Sequence, residues 1–312
     1  MEEASDTRSQ LPREVVDAIA SAVGGPAWLT QLSGGTNRRT YLVAGEQHRW
    51  VARAELAPAL SLQRAVAAQA RAHAAGVRTP VTLAYDLTVT EAGPYVWSVE
   101  TFVDGTPLDH AWARTPADYA ALRDLGAQLR RLHAVAVDAF GDLPPRPYPV
   151  YSSFRAWVQN KAKRIAPAAS LAGGNLALIA LIEQVYDSLA DWYTGGARLC
   201  KGDCAGDNLL VDREHAVMIV DWEWAQGLDP AADIAYWCRF AGHPQAHELL
   251  LAAYEPDDLP LFRRRMQAHR VVHAVETIHV LDEHRHAFGA AQREAGIQAE
   301  WASLARLISD MD

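Results

Sequence analysis

Cysteine is scarce in this chain of 312 residues: only Cys200, Cys204 and Cys238 are present. An odd and small number in a long chain argues against a disulfide framework. Cys200 and Cys204 have no second pair downstream, so the spacing offers no zinc pattern. A basic excess is also missing, with 29 Lys and Arg against 38 Asp and Glu and a formal net charge of -9. Such a balance does not suit a binder of phosphate backbones, and nucleic acid is not an expected partner. The polar start MEEASDTRSQ has neither the basic flank nor the apolar core of a secretory signal, and no apolar run reaches bilayer length. A cytoplasmic protein without a membrane partner is the expectation. Internal repeats and low-complexity tracts are absent too.

What is present is enough apolar surface for a sizeable core, since half the residues are hydrophobic and about a fifth charged. The length exceeds one average domain, which leaves one large domain or two lobes around a cleft. In the first hundred residues, TYLVAG (40–45) and HRWVARAE (48–55) read as a strand pair. An Ala-rich helix follows over 61–75, stopped by Gly76 and Pro80. VTLAYDLTVT (81–90) and PYVWSVETFV (94–103) read as two more strands, and the turn residues of DGTPLD (104–109) mark a boundary. Beyond it, Leu122, Leu125, Leu129 and Leu132 form one apolar stripe on a helix over 117–134. The Pro-rich stretch 142–149 reads as loop, and 175–192 and 245–286 as further helices. Between them lies a single β-rich stretch, 208–222.

That stretch carries the chemistry. Asp203 is followed five residues later by Asn208, then by a hairpin, then by Asp221 at the end of the returning strand. Phosphoryl transfer needs an acceptor hydroxyl oriented in line with the γ-phosphate, and a cation to neutralise the spreading phosphate charge. A tight loop lets Asp203 face the acceptor while Asn208 faces metal, and the hairpin returns Asp221 beside Asn208. Both metal-facing side chains offer the hard oxygens that magnesium prefers.

KGDCAGDN, VDWEWA and DPAAD together resemble the aminoglycoside phosphotransferase and choline kinase superfamily, and the resemblance covers nearly the whole chain. It implies an α+β, protein-kinase-like two-lobed fold. Residues 1–103 would be a small β-rich nucleotide-binding lobe, and 104–312 a larger, mainly helical catalytic and substrate-binding lobe. It also implies ATP or GTP and Mg2+ as cofactors. LSGGTNRRTYLV (32–43) looks like the family's glycine loop, where Gly34 and Gly35 would let backbone N–H groups approach the phosphates. Arg53 stands where the family places a phosphate-facing cation, and the hinge backbone at Glu100 and Phe102 would meet the adenine edge. Asp203 would be the catalytic base, Asn208 and Asp221 the metal ligands, and Asp233 a buried brace of the catalytic loop.

Two positions depart from the family's pattern. Lys201 replaces its loop His, either packing its stem in the loop core or bonding carbonyls with its ammonium. Ala65 stands where a Glu usually pairs with the strand cation; Gln69, one turn on, could hydrogen-bond Arg53 instead. Around the site, Asp207 and Glu223 would attract an amine-bearing acceptor. Asp229 before Pro230 reads as a turn former. Trp222, Trp224 and Trp237 read as core, with an aromatic wall as the lesser alternative. His269, His273 and Glu276 share one helix face with the spacing of a metal pair, but contact between His273 and substrate is the preferred functional reading. The basic QNKAKR (159–164) reads as solvated helix surface.

The expected protein is a small-molecule kinase passing the γ-phosphate of ATP or GTP to a hydroxyl of an aminoglycoside-like antibiotic or related polar molecule, cationic in one reading. A kinase of an endogenous amino alcohol or sugar, of choline, homoserine or fructosamine type, and a nucleotide-binding pseudokinase are the alternatives. Monomer and homodimer are both open.

Overall fold

The computed structural model describes residues 11–32, 39–58, 60–108, 116–145, 149–171, 176–240, 243–283 and 289–311. Gly34 and Gly35 lie outside the described residues. The chain opens with helix α1 (Arg13–Ala22) and strands β1 (Trp28–Gln31), β2 (Arg39–Ala44) and β3 (Arg49–Leu56). Helix α2 (Leu60–Ala74), β4 (Thr82–Thr90) and β5 (Gly93–Thr101) complete this part. The five strands form one antiparallel sheet in the order β1-β2-β3-β5-β4. Side chains alternate across it. Ala52, Ala54, Trp97 and Val99 face α1 and pack on Val15 and Ile19. Arg53, Val96, Ser98 and Glu100 share the opposite face, where Val96 meets Leu62 of α2. The fold thereby puts an arginine and a glutamate on the same side of the sheet.

The second part begins at β6 (Thr106–Pro107) and α3 (Pro116–Ala134), followed by β7 (Phe140–Asp142), β8 (Val150–Tyr151), α4 (Phe154–Ala162), α5 (Ile165–Leu171) and α6 (Leu176–Trp192). Then come β9 (Arg198–Cys200), β10 (Leu209–Val211), β11 (Val217–Ile219), β12 (Gln226–Leu228), α7 (Ala231–Phe240), α8 (Pro244–Tyr254), α9 (Leu259–Glu283) and α10 (Ala290–Ser309). Two small sheets, β11-β10-β6 and β8-β7-β12-β9, sit among the helices. The Leu122, Leu125, Leu129 and Leu132 stripe of α3 is buried as its spacing predicts. Gly126 on the same helix has no room for a side chain, because a Cβ there would lie 2.4 Å from the Leu250 carbonyl oxygen. That contact lets α3 and α8 pack closely.

The stretch read as helical over 245–286 holds α8 and α9. It breaks where Glu255 adopts a left-handed conformation (φ 51°), and α9 restarts with Asp258 Oδ1 accepting from Leu261 N at 2.9 Å. Helices α4, α5, α7 and α10 had no counterpart in the sequence reading beyond the basic segment of α4. That segment is not simply solvated either. Lys161 and Arg164 both pair with Glu276 on α9, and Lys161 Nζ lies 3.0 Å from its carboxylate.

Candidate active site

The loop after β9 is held from below by Asp233 in the first turn of α7. Its carboxylate accepts from Lys201 N at 2.6 Å and Gly202 N at 2.8 Å, and faces His133 Nε2 at 3.1 Å. His133 Nδ1 is in turn 3.1 Å from the Tyr254 hydroxyl. Burial alone would raise the Asp233 carboxyl, but His133 and the two backbone donors outweigh it and hold the group below its ordinary value. Lys201 is wholly buried, and its Nζ donates to the Asp203 carbonyl at 2.9 Å. Of the two roles open to Lys201, the ammonium therefore bonds a carbonyl. Gly202 has φ +80°, and a Cβ on it would sit 2.0 Å from the Trp224 carbonyl oxygen. Only glycine fits between the loop and the segment after β11.

Asp203 is oriented by two donors: Asn208 Nδ2 reaches Oδ2 at 2.9 Å, and Ala205 N reaches Oδ1 at 3.3 Å. Because its amide nitrogen is committed to Asp203, Asn208 has Oδ1 left for a cation. The β10–β11 hairpin pairs Leu209 with Ile219, and Val220 N donates to the Asn208 carbonyl at 3.0 Å. The next residue is Asp221, which has φ 57° and ψ 74°. A non-glycine residue held in this sparsely populated region marks a position that its surroundings over-determine. Trp222, buried beside it, donates from Nε1 to the Ile219 carbonyl at 3.0 Å and anchors the turn.

Above the loop, Arg53 pairs with Glu100, with 12% and 7% of the two side chains exposed. Burial would lower the Arg53 guanidinium, yet Glu100, with Asp221 and Glu223 behind it, keeps it above its usual value. Arg53 and Glu100 are diagonal neighbours on β3 and β5, since Arg53 pairs with Ser98 and Val51 with Glu100. This corrects the expected hydrogen bond from Gln69, whose Nε2 instead donates to the Pro80 carbonyl at 2.8 Å and Thr82 Oγ1 at 3.2 Å. Ala65 is buried in the core. One residue earlier, Arg64 pairs with Asp142 on β7 and donates from Nε to the Glu223 carbonyl at 3.0 Å. Phe102 lies just past β5, with the Arg49 guanidinium 4.1 Å above its ring.

A loop of Asp203 and Asn208, a hairpin returning Asp221 and a sheet-borne cation facing them are matched by a family model described as the phosphotransferase enzyme family, over residues 28–267. This chain belongs to that family. It is a phosphotransferase with an alcohol group as acceptor and a kinase-like fold. A putative aminoglycoside phosphotransferase from Ralstonia eutropha superposes with a TM-score of 0.69 at 17% identity, covering 97% of this chain and 98% of that one. A thermostable mutant of the aminoglycoside phosphotransferase APH(4)-Ia, in ternary complex with ADP and hygromycin B, gives 0.68 at 16% identity, covering 94% and 98%. A putative fructosamine-3-kinase from Haemophilus somnus gives 0.66 at 12% identity, covering 95% and 97%. No curated protein matches the chain.

Around the phosphotransferase loop, Asp207 is exposed and Glu223 half-buried. The residues read as a possible metal face on α9 point to separate partners. His269 Nε2 lies 3.0 Å from Asp229, His273 Nε2 3.1 Å from the Ala232 carbonyl, and Glu276 meets Lys161 and Arg164. Asp229 does more than form a turn: it is fully buried, accepts from Ala231 N at 3.1 Å, and also pairs with Arg265 at 3.1 Å. His133, Cys200 and Asp233 bring ligand-type atoms within 4.8 Å of one another, but His133 and Asp233 are bonded to each other and Cys200 to the Asp229 carbonyl. Trp222 and Trp237 are core, whereas Trp224 is half exposed. Sequence reasoning missed the carboxylate role of Glu100 and the Arg64 link.

Proposed function

We propose that the protein is a kinase of a small polar metabolite or antibiotic, transferring the γ-phosphate of ATP or GTP to a hydroxyl, with residues 1–103 as nucleotide lobe and 104–312 as catalytic lobe. The observation that carries this reading is the placement of Asp203, Asn208 and Asp221 side by side through the loop and hairpin, with donors fixing Asp203. As the acceptor O–H bond breaks, its oxygen bonds the γ-phosphorus, its proton passes to Asp203, and the bond from phosphorus to the leaving nucleoside diphosphate breaks. Asn208 through Oδ1 and Asp221 through its carboxylate are the residues that would hold magnesium, which neutralises phosphate charge when bound. Arg53 aligns the phosphates, and Gly34 and Gly35 supply backbone donors. The hinge around Glu100 and Phe102 takes the adenine edge. Asp207 and Glu223 favour a cationic acceptor, whereas His273 has its Nε2 on the Ala232 carbonyl and its ring against Tyr236, which corrects its expected contact with substrate.

Both departures from the family pattern are compensated, which supports an active enzyme over a pseudokinase. The Lys201 ammonium takes up a loop carbonyl, and Glu100 supplies the carboxylate that Ala65 lacks. A metabolic acceptor is the second reading, favoured by the fructosamine-3-kinase neighbour. The test is release of ADP or GDP with magnesium against hygromycin B, kanamycin, choline, homoserine and amino sugars. Asp203→Asn is expected to keep nucleotide binding and lower turnover by ~10²–10⁴-fold, the usual contribution of a positioned base. Full turnover in that variant would sink the assignment.

A further inference from the structure

Strand β11 leads to Asp221, and both of its edges are occupied. One edge pairs with β10. On the other, the outward backbone groups belong to Val217 and Ile219, and each has a partner from outside the sheet. Asp124 Oδ2 accepts from Val217 N at 2.7 Å, and Gln128 Nε2 donates to the Val217 carbonyl at 2.6 Å. The Arg78 carbonyl accepts from Ile219 N at 2.9 Å, and Trp222 Nε1 donates to the Ile219 carbonyl. A strand whose outward N–H and C=O groups are all bound in this way cannot slide along its neighbour without breaking them.

Asp124 and Gln128 stand one turn apart on α3, so their side chains meet on one face of the helix. Gln128 is wholly buried. Its Oε1 accepts from Arg78 N at 2.7 Å, and its Nε2 also donates to Asp124 Oδ2 at 2.8 Å. Turning the amide over would set its nitrogen against the Arg78 N–H and its oxygen against two acceptors, so one orientation alone fits. Arg78 Nη1 adds a further bond to Asp124 Oδ2 at 2.6 Å. Because Arg78 lies between α2 and β4, a single buried amide ties the first part of the chain, helix α3 and the strand leading to Asp221.

We propose that Gln128 and Asp124 are positioning residues for Asp221. They set β11 against α3, and through the short step from Val217 to Asp221 they fix where that carboxylate stands relative to Asn208 Oδ1. The inference rests on the phosphotransfer reading above, in which Asn208 and Asp221 hold magnesium. Magnesium demands near-ideal octahedral geometry, so it tolerates little error in the spacing of its ligands. Both positioning residues act through the backbone of β11.

The test is Mn2+ binding by the full chain at saturating ADP, read by electron paramagnetic resonance. Gln128→Met keeps the length of the side chain and removes its bonds. Its Mn2+ affinity should fall about 10- to 100-fold, as happens when an outer partner of a metal ligand is lost. Calorimetry with ADP in EDTA should meanwhile give the parental nucleotide affinity, whereas a merely structural loosening would weaken both. Asp124→Asn keeps an acceptor for Val217 N and should hold Mn2+ more tightly than Asp124→Ala; this pair decides the matter if Gln128→Met does not fold. Parental Mn2+ affinity in Gln128→Met, or equal affinity in the two Asp124 variants, overturns the positioning role when Asp221→Asn has lost the ion. An Asp221→Asn variant that binds Mn2+ like the parent removes the metal reading itself, and a parent that takes up no Mn2+ with ADP does the same.

Discussion

Replacing Glu100 by Gln removes the carboxylate opposite Arg53 while keeping its shape. The guanidinium is only 12% exposed, so water cannot fully replace the lost partner. Deleting one member of a buried ion pair costs ~3–5 kcal/mol when nothing else compensates. Here Asp221 and Glu223 also act on Arg53, and the Gln oxygen still accepts a hydrogen bond. The expected loss is therefore about 1–2 kcal/mol, or a Tm about 2–4 °C lower for a chain of this size. The functional effect should exceed the structural one. With Glu100 neutral, Asp221 and Glu223 compete with the nucleotide for Arg53, and the affinity for Mg-ATP should fall about 10-fold, the equivalent of one charge-assisted hydrogen bond. Calorimetric titration and thermal melts of Glu100→Gln, Arg53→Met and the double variant form a cycle. If Arg53→Met is already present, Glu100→Gln should cost almost nothing more in nucleotide affinity. Equal losses in both backgrounds would refute the idea that Glu100 acts through Arg53.

Lys201→Met removes the ammonium from the Asp203 carbonyl while keeping the stem. It should cost ~1.5–3 kcal/mol, the range for a hydrogen bond from a charged donor, and lower kcat more than nucleotide affinity. Lys201→His should recover part of the turnover, and a Met variant as active as the parent would show the bond to be idle. Acidification tests His273, whose folded value of about 3 lies below the ordinary 6.5. Only the unfolded chain takes up this proton between those values, so the native state loses stability as pH falls from about 6.5 toward 3. Between pH 7.5 and 5.0 the loss amounts to ~2 kcal/mol. Urea unfolding at the two pH values should show that difference shrinking in His273→Gln, and an unchanged difference would contradict the neutral imidazole.

The parts of the molecule written within short windows were legible. The Asp203, Asn208 and Asp221 spacing, the hairpin and the apolar stripe of α3 each depend on residues close in the chain, and each folds as read. What was not legible depends on register and long-range packing. Glu100 lies 47 residues from Arg53, and only the alignment of β3 with β5 puts the two on one face. Gln69 has the right helical position to reach the strand cation, but the Pro80 carbonyl lies within its reach. The break between α8 and α9 carries no glycine but was written locally, in Pro256, Asp257 and Asp258 directly after the left-handed Glu255. Helix α10 was legible and overlooked, since Ile297, Trp301, Leu304 and Ile308 stand at the same three- and four-residue spacing as the α3 stripe and are buried.

Where a strand cation is paired by a helix carboxylate, moving the helix can uncouple the pair and silence the enzyme. Here both charges ride on adjacent strands of one sheet, and the cation is set as soon as that sheet forms. Helix α2 is left with mechanical work, since Arg64 rivets it to the Glu223 carbonyl and to Asp142 across the cleft. In this arrangement a shift of α2 would leave the Arg53–Glu100 pair intact.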